Sequence, residues 1–350
     1  MRKDKKLTVC GLLIGLFLPA ANAQLFTVKD LGTLGGSISL ATSVNIFGQV
    51  VGQSAVVNET ASHSFLWTKN RGLRDLGTLG GFSSRPYHIN ALSQVVGESF
   101  TAGNLTSHAF LWTQSQGMQD LGTLGGCSSL AEGINFFGQA VGGSMVTGCD
   151  FSEFHGFLWT KAKGMQDIGT LGGHFSEAVA INAVGQAVGS SSVENDSAFH
   201  AFVWTKAEGM QDLGTLGNGS FSTASAINDL GHIIGESSDC DGTEHAFLWT
   251  KAEGMKDIGP APGGFGGLTA INIFGQIVGT FCPEPCMGNE HAFIWTKNTG
   301  WLDLNSLIPA QSGWELVLPY DINEWGQIAG FGLINGQAHG FLLTPKIGVQ

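Results

Sequence analysis

The chain has 350 residues, a net charge of −12 at pH 7 and 53 glycines. An acidic chain of this kind repels nucleic acids and anionic lipid surfaces, so both are poor candidate partners. Only 13% of the residues are charged, while 23 are Phe and nine are Trp, a composition typical of tightly turned β structure.

The first 23 residues have the pattern of a secretory signal peptide. Residues 1–6 are basic, residues 7–19 are apolar, and Ala21-Asn22-Ala23 has the small residues of a cleavage site. The apolar run is shorter than the roughly 20 residues that span a bilayer, and Cys10 lies inside it, which argues against a lipid anchor. We expect cleavage after Ala23 and a soluble monomer, extracellular or periplasmic, with no membrane span. It would hold 12 Lys and Arg against 27 Asp and Glu.

Three short phrases recur seven times, the Asp-Leu-Gly phrase at intervals of 45 to 47 residues, which indicates a repeat architecture. An Asp-Leu-Gly phrase, with small variations, begins at Asp30, Asp75, Asp120, Asp167, Asp212, Asp257 and Asp303. An Ile-Asn or Val-Asn phrase places its asparagine at Asn45, Asn90, Asn135, Asn182, Asn228, Asn272 and Asn323. A histidine opens the third phrase at His63, His108, His155, His200, His245, His291 and His339.

The copy at residues 177–217 predicts four short strands, at 178–181, 186–190, 200–205 and 210–216. Asn182 and Gly185 bound a turn after the first strand, and Gly209 ends a turn after the third. The third strand is apolar on both faces, with Phe202 and Trp204 on one side and Ala201 and Val203 on the other. Such a strand has to be covered on both sides, as in the blade of a β-propeller.

The two ends of the repeat array favour a closed ring over a solenoid. Residues 25–32 supply only a fourth strand, and residues 320–344 supply only the first three. A rod would leave both ends as open sheet edges and would need polar capping repeats. We therefore predict one all-β domain, residues 24–350, a seven-bladed β-propeller closed by the N-terminal strand joining the last blade.

The phrases His-Ala-Phe-Leu-Trp-Thr, Asp-Leu-Gly-Thr-Leu-Gly-Gly and Ile-Asn-x-x-Gly-Gln-x-Val-Gly resemble the bacterial extracellular repeat proteins of the HAF family. The resemblance covers nearly everything after Gln24. It implies an exported protein built of repeats and carries no established activity. Some relatives end in a Pro-Glu-Pro sorting motif with an apolar helix, whereas the Pro283-Glu284-Pro285 of this chain is internal.

The histidines are interpreted as architecture, because one residue in every blade cannot converge on a single metal ion. The Asp of the Asp-Leu-Gly phrase is a possible hydrogen-bond partner within each blade. The tryptophans of the third phrase are expected in the core, since Leu343 replaces the last of them. The Gly-Thr-Leu-Gly-Gly stretches lack the lysine and helix of a phosphate-binding loop. No cofactor and no metal site are predicted, although the acidic loop 239–244 leaves calcium open as an alternative.

Export favours disulfides among the five cysteines after residue 23. Cys127 follows the Gly-Gly of the third unit, and Cys149 lies in the loop between that unit's second and third strands. In a four-stranded blade those two segments emerge on the same face, so the two residues could pair. Cys282 and Cys286 flank Pro283-Glu284-Pro285 and form a second candidate pair, and Cys240 is either left over or pairs with one of them.

A functional site is expected where the repeat symmetry fails, at the loop-rich mouth of the channel. The candidate binding residues share positions on or near the innermost strands, and they are Arg85, Tyr87, His88, Glu132, His174, Glu177 and Trp314. This mixture of charged and aromatic groups would suit a polar ligand, a glycan or a protein. No catalytic constellation is identified.

Three functions remain open. The first, which we favour, is a non-catalytic exported module that binds through its loop-rich face. The second is a lyase or glycoside hydrolase that uses Glu132 and Glu177, which would need carboxyl groups about 5 to 9.5 Å apart. The third is a structural element of an envelope or matrix.

Overall fold

The computed structural model describes residues 25–149, 151–259, 265–282 and 290–346, and the predicted signal peptide lies outside them. Within these residues 28 strands run in chain order: β1 Phe26–Asp30, β2 Gly35–Val44, β3 Val50–Val56, β4 Ser62–Thr68, β5 Gly72–Asp75, β6 Gly80–Ile89, β7 Val95–Thr101, β8 Ser107–Thr113, β9 Gly117–Asp120, β10 Ser129–Ile134, β11 Ala140–Met145, β12 Phe154–Thr160, β13 Gly164–Asp167, β14 Gly172–Ile181, β15 Ala187–Val193, β16 Phe199–Thr205, β17 Gly209–Asp212, β18 Ser222–Ile227, β19 Ile233–Ser238, β20 Glu244–Thr250, β21 Gly254–Asp257, β22 Phe265–Ile271, β23 Ile277–Phe281, β24 His291–Thr296, β25 Gly300–Asp303, β26 Trp314–Ile322, β27 Ile328–Ile334 and β28 Gln337–Pro345. Four short 3₁₀ turns occupy Val57–Glu59, Glu194–Asp196, Leu216–Asn218 and Leu304–Leu307.

The strands form antiparallel units of four, which we call blades 1 to 7 in chain order. Blades 1 to 6 each take four consecutive strands, from β2–β5 to β22–β25, and one parallel bridge between Phe154 and Phe175 joins blades 3 and 4. Blade 7 has the order β1-β28-β27-β26. The first strand of the chain therefore completes the last blade, with Phe26 opposite Pro345 and Asp30 opposite Phe341. The predicted fold class, an all-β propeller, is confirmed.

The fourth strand of each repeat is shorter than predicted, and the first strand is longer. In blade 4 the fourth strand ends at Asp212 instead of residue 216, because the Asp212 carboxylate accepts a hydrogen bond from the Gly214 amide and turns the chain. The first strand begins at Gly172, so the Gly-Gly that reads as a chain break is already paired with the second strand.

The apolar core lies between blades. Phe202 packs with Trp204 against residues of blade 3, and Ala201 and Val203 pack against residues of blade 5. The two faces of the third strand thus contact different neighbours, as its alternation predicts. The third-strand phenylalanines are the largest fully buried side chains, whereas four of the six repeat tryptophans are only half-buried at the cluster edges.

The Val-Gly phrase of the second strand is explained by a close approach between strands. A Cβ atom on Gly189 would lie 1.8 Å from the Glu177 carbonyl oxygen, and one on Gly97 would lie 2.1 Å from the Arg85 carbonyl oxygen. Only glycine leaves room there. The first strand has a bulge beside this glycine: in blade 4 Ala178 lies opposite Gly189, and the register shifts between Ala178 and Ala180.

A circuit of buried asparagines links all seven blades. Asn90 shows the pattern: its side-chain amide donates to Gln94 Oε1 at 2.7 Å and to the Asn135 carbonyl of the next blade at 2.9 Å. Its Oδ1 accepts from the amides of Leu92 and Gln94, both at 3.0 Å, so every hydrogen-bonding position of the side chain is used. The inter-blade bond recurs at each step, and Asn323 donates to the Asn45 carbonyl at 2.9 Å.

The repeat histidines pair with the repeat aspartates, which confirms that prediction. The histidine Nδ1 lies 2.8 Å from the aspartate in five blades, from His63–Asp75 to His291–Asp303. His245 Nδ1 lies 2.9 Å from Asp257, although off the line of a hydrogen bond. In blade 7 the pair is His339 with Asp30 at 3.1 Å, which joins the two ends of the chain.

Cys127 and Cys149 are joined by a disulfide, as their placement predicts. Cys282 is also disulfide-bonded, and its predicted partner Cys286 lies outside the described residues. Cys240 is free and exposed.

The described part of the chain has no helix long and apolar enough to cross a membrane.

Removal of residues 25–34 should sharply lower the melting temperature or cause aggregation, because blade 7 would lose its outer strand. The single change Phe26→Ala should cost about 3 kcal/mol, since Phe26 is buried in the blade 7 core. Thr27→Ala, on the exposed side of the same strand, should cost much less. Differential scanning calorimetry measures all three, and a truncated protein as stable as the parent would contradict closure by β1.

Asn90→Ala should lower the free energy of unfolding by about 3 kcal/mol, because it leaves buried amides and a carbonyl of two blades without partners. Asn70→Ala, in an exposed turn between β4 and β5, is the matched control. Chemical denaturation measures both variants. Equal stability of the two would show that the asparagine circuit does not hold the blades together.

Candidate functional site

A central cavity of about 220 Å³ is lined by residues of all seven blades. Its walls are the ends of the first strands and the asparagine turns that follow them, from Asn45 in blade 1 to Asn323 in blade 7. The first strands are therefore innermost, as the propeller interpretation requires. Side chains that lie before the asparagine on these strands are in a position to face the channel.

The non-repeating polar residues occupy two positions on the first strands, which we call two levels because they differ in their distance along the strand from the repeat asparagine. Arg85 and Glu177 lie five residues before their asparagines, whereas Tyr87, Glu132 and Tyr320 lie three residues before theirs. The residue between the two levels, such as Pro86 or Ala178, is buried within the blade. Alternation along the strand thus sends both levels toward the channel.

Arg85, Tyr87 and Glu98 form one polar group in blade 2. The Arg85 guanidinium carbon lies 5.0 Å from the centre of the Tyr87 ring, a cation–π distance. The Tyr87 hydroxyl donates to Glu98 Oε1 at 3.0 Å, and Glu98 is opposite Arg85 in the β6–β7 pairing. Burial, followed by the negative charge of Glu98, raises the pKa of Tyr87 well above its usual range, so the phenol stays protonated.

Glu132 and Glu177, from blades 3 and 4, are in hydrogen-bond contact with each other. Burial raises the pKa of Glu132 well above its usual range, and the charge of Glu177 and the hydrogen bond to it raise it further. Burial also raises the pKa of Glu177, although its hydrogen bond with Glu132 acts in the opposite direction. The pair therefore holds a proton that an exposed pair would release.

Gly143 makes room for this pair. A Cβ atom at this position would lie 2.2 Å from the Phe154 ring and 3.3 Å from Glu177 Oε1. The equivalent second-strand residue in blade 2 is Glu98 and in blade 5 is Glu236. The absence of a side chain in blade 3 allows Phe154 and Glu177 to occupy the space between blades 3 and 4.

We call Arg85, Tyr87, Glu98, Glu132 and Glu177 the channel cluster, and Tyr320 of blade 7 lies near it. Burial raises the pKa of Tyr320, and the positive charge of Arg85 lowers it. Four of the seven sequence-predicted residues are thus brought together. Glu98 and Tyr320 were not predicted, although Tyr320 occupies the same repeat position as Tyr87 and could have been found by that equivalence.

The other three predicted residues do not join the channel cluster. His174 is exposed, and its side chain and backbone amide are bound by Asp196 on the outer loop face. Trp314 packs edge-on against Phe341, 6.0 Å away, within the blade 7 core. His88 lines the central cavity at the asparagine turns and leaves a buried Nδ1 without a partner.

No group of three or more His, Cys, Asp or Glu side chains is placed to hold a metal ion in the residues that the structure describes. The carboxylate of Asp239, in the acidic loop considered for calcium, binds its own turn. Its Oδ1 accepts from the amides of Asp241 and Thr243, and its Oδ2 lies 3.2 Å from His245 Nε2.

Comparison of the sequence with protein-family models and with curated proteins finds no match. The structure is similar to solved β-propellers. The oligogalacturonate lyase of Vibrio parahaemolyticus matches with a TM-score of 0.55 at 8% identity, over 92% of this chain and 94% of that chain. The β-propeller domain of the Trilobed protease of Pyrococcus furiosus matches with 0.51 at 11% identity, over 75% and 82%. The Dos1 propeller matches with 0.51 at 8% identity, over 91% and 95%. Similarity at these identities supports the fold alone.

Glu132→Gln should stabilise the protein at pH 8 and have little effect at pH 4. The raised pKa values mean that the folded state binds the proton more tightly than the unfolded chain. Stability from this pair is therefore complete below the unfolded glutamate pKa and is lost as pH rises through the folded values. The side-chain amide of the variant keeps a donor for Glu177 and cannot ionise.

The melting temperature of this variant should exceed that of the parent by about 2 to 5 °C at pH 8. Glu194→Gln, at an exposed loop position, is the control and should follow the parent curve. A Glu132→Gln protein that is destabilised equally at both pH values would argue against a shared, buried proton.

Proposed function

We propose that the protein is an exported, non-catalytic β-propeller of the HAF family that binds a neutral, hydroxyl-rich ligand such as a glycan through its channel cluster. The observation that carries the proposal is Arg85 Nε, which is buried and has no hydrogen-bond partner among the described residues. A buried donor without a partner costs free energy. A bound hydroxyl group would supply the missing acceptor.

The charge balance of the channel cluster supports a neutral ligand. The Glu132–Glu177 pair shares a retained proton, so it carries one negative charge and not two, and Arg85 provides a nearby positive charge. The two tyrosines are neutral, since a tyrosine hydroxyl ordinarily ionises only at about pH 10 and burial raises both pKa values further. The cluster then offers donors, acceptors and aromatic faces close together, the combination that a sugar with many hydroxyl groups requires.

The geometry of the glutamates favours binding over glycoside hydrolysis. Glu132 and Glu177 share a hydrogen bond, whereas the two carboxyl groups of a glycosidase lie about 5 to 9.5 Å apart to accommodate the substrate bond or a water molecule. The similarity to a lyase that acts on oligogalacturonate concerns the fold. An acidic sugar would also meet the three glutamates of the channel cluster.

A glycan array, read together with an assay for new reducing ends, tests the proposal. We expect binding of a neutral glycan without cleavage. Arg85→Met should weaken that binding at least tenfold, because it removes the unpaired donor and keeps the aliphatic stem. Arg74→Met is the matched control, since Arg74 also lies over an aromatic ring, Trp112 at 5.1 Å, but on the outer strand of blade 1.

Cleavage of any sugar that binds would replace the binding role with the lyase or hydrolase alternative. Equal binding by both arginine variants would remove the channel cluster from the site. The absence of binding to any glycan would favour the structural role in an envelope or matrix.

A further inference from the structure

Large apolar side chains stand exposed at the tip of all seven turns between first and second strands. Each is the second residue after the buried asparagine, and 58 to 74% of its surface is accessible. The seven residues, which we call the apolar crown, are Phe47, Leu92, Phe137, Val184, Leu230, Phe274 and Trp325.

The turn geometry does not require these apolar residues. Turns between third and fourth strands are equally tight and lie on the same face, yet they expose polar residues such as Asn70, Gln114 and Lys161. Polar residues are the usual choice at such tips. A contiguous series of exposed apolar side chains is typical of an interaction surface.

The apolar crown is held rigidly and at one level. The asparagine Oδ1 accepts the backbone amide of the tip residue in six of the blades, for example Phe47 at 3.0 Å and Trp325 at 3.0 Å. The Trp325 indole also donates to the Ile46 carbonyl across the seam between blades 7 and 1. Equivalent positions in blades around one axis lie in a plane, so the seven tips form a flat ring around the cavity mouth.

Basic residues surround the apolar crown on the same face. Four of the 16 Lys and Arg residues lie in the first six positions, and seven of the other twelve lie in the turns between third and fourth strands. These seven are exposed, and they are Lys69, Arg71, Lys161, Lys163, Lys206, Lys251 and Lys297. Two glutamates, Glu208 and Glu253, lie in the same turns, and the turns that hold the apolar crown contain Asp229 and Glu324, so basic residues outnumber acidic ones by seven to four in the turns of this face.

The opposite face has the opposite charge. Its loops between second and third strands hold Glu59, Glu153, Glu194, Asp196, Asp239 and Asp241 and contain no Lys or Arg. Although the whole chain is negatively charged, the turns of the crown face carry a net positive charge and the loops of the opposite face carry a net negative charge. An anionic surface would repel one face and attract the other, which orients the molecule.

We propose that the apolar crown docks on a lipid bilayer surface that contains anionic headgroups. A flat ring of Phe, Leu, Val and Trp tips enters the headgroup region while the outer lysines contact the phosphates. The membrane is planar, as the ring of tips is, and it offers an apolar layer to the crown and negative charge to the basic residues around it. A second copy of the chain fits less well, because two such faces would place their basic rings against each other.

Co-sedimentation with phosphatidylcholine vesicles, with and without phosphatidylglycerol, tests this proposal on the protein recovered after export. We expect binding to the anionic vesicles that weakens at high salt, and much weaker binding to the neutral ones. The variant Phe47→Ser/Phe137→Ser/Phe274→Ser should lose at least tenfold in affinity. Its melting temperature should match the parent, since these side chains are about 70% exposed.

The matched control is Val57→Ser/Leu105→Ser/Phe151→Ser, which removes three exposed apolar side chains from the loop face and should bind as the parent does. Lys69→Gln/Lys161→Gln/Lys163→Gln tests the basic ring separately and should reduce binding to anionic vesicles alone. This charge variant keeps the proposal falsifiable even if the crown variant fails to fold.

Failure of the parent to bind either vesicle overturns the proposal, as does equal loss in the crown and control variants. A dimer in sedimentation velocity that the crown variant abolishes, without vesicle binding, assigns the crown to a second copy instead. These outcomes are independent of the glycan result, because the channel cluster is unchanged in every variant used here.

Discussion

The closed circuit of asparagine hydrogen bonds is the interaction on which the rest of the molecule depends. Each asparagine is buried, and Asn90 shows how such a side chain is fully satisfied, with bonds inside its own turn and one bond to the next blade. Aspartate has no donor for the neighbouring carbonyl, and glutamine places its amide one carbon too far away. The same side chain thus shapes the turn, fixes the spacing of blades and defines the wall of the central cavity.

Because the inter-blade asparagine bond recurs in all seven blades, residues at other positions can differ between blades and serve function. Blade 2 contributes an arginine and a tyrosine to the channel, and blades 3 and 4 contribute one glutamate each. The glycine at position 143 is the counterpart of a glutamate in blade 2, and its missing side chain allows the two neighbouring glutamates to meet. The repeated residues hold the fold together, and the non-repeating polar residues of the channel cluster lie in three adjacent blades, 2 to 4.

The sequence predicts the repeating parts of this structure well and the non-repeating parts less well. The blades, the histidine–aspartate pairs and the Cys127–Cys149 bond follow from residues that recur or that emerge on the same face. Alternation places Arg85 and Tyr87 on one side of the first strand, but a bulge shifts the register of that strand between Pro86 and His88. His88 therefore lies at the asparagine turns and lines the central cavity, whereas Trp314 packs in the blade 7 core, so neither joins the channel cluster. Glu98 was missed because its role depends on strand register.

Blade 7 is built from both ends of the chain, and this affects the order in which strands pair during synthesis. Thr27 on β1 bonds to Thr344, 317 residues later in the chain, so the first strand to be synthesised is among the last to be covered. At ordinary translation rates the delay is roughly 15 to 60 s. During that interval β1 is an open edge, and the adjacent charges of Lys29 and Asp30 are the kind of residues that discourage an edge from pairing with another chain. The N-terminal strand of the nascent protein is thus open to pairing with other chains until β28 has been synthesised.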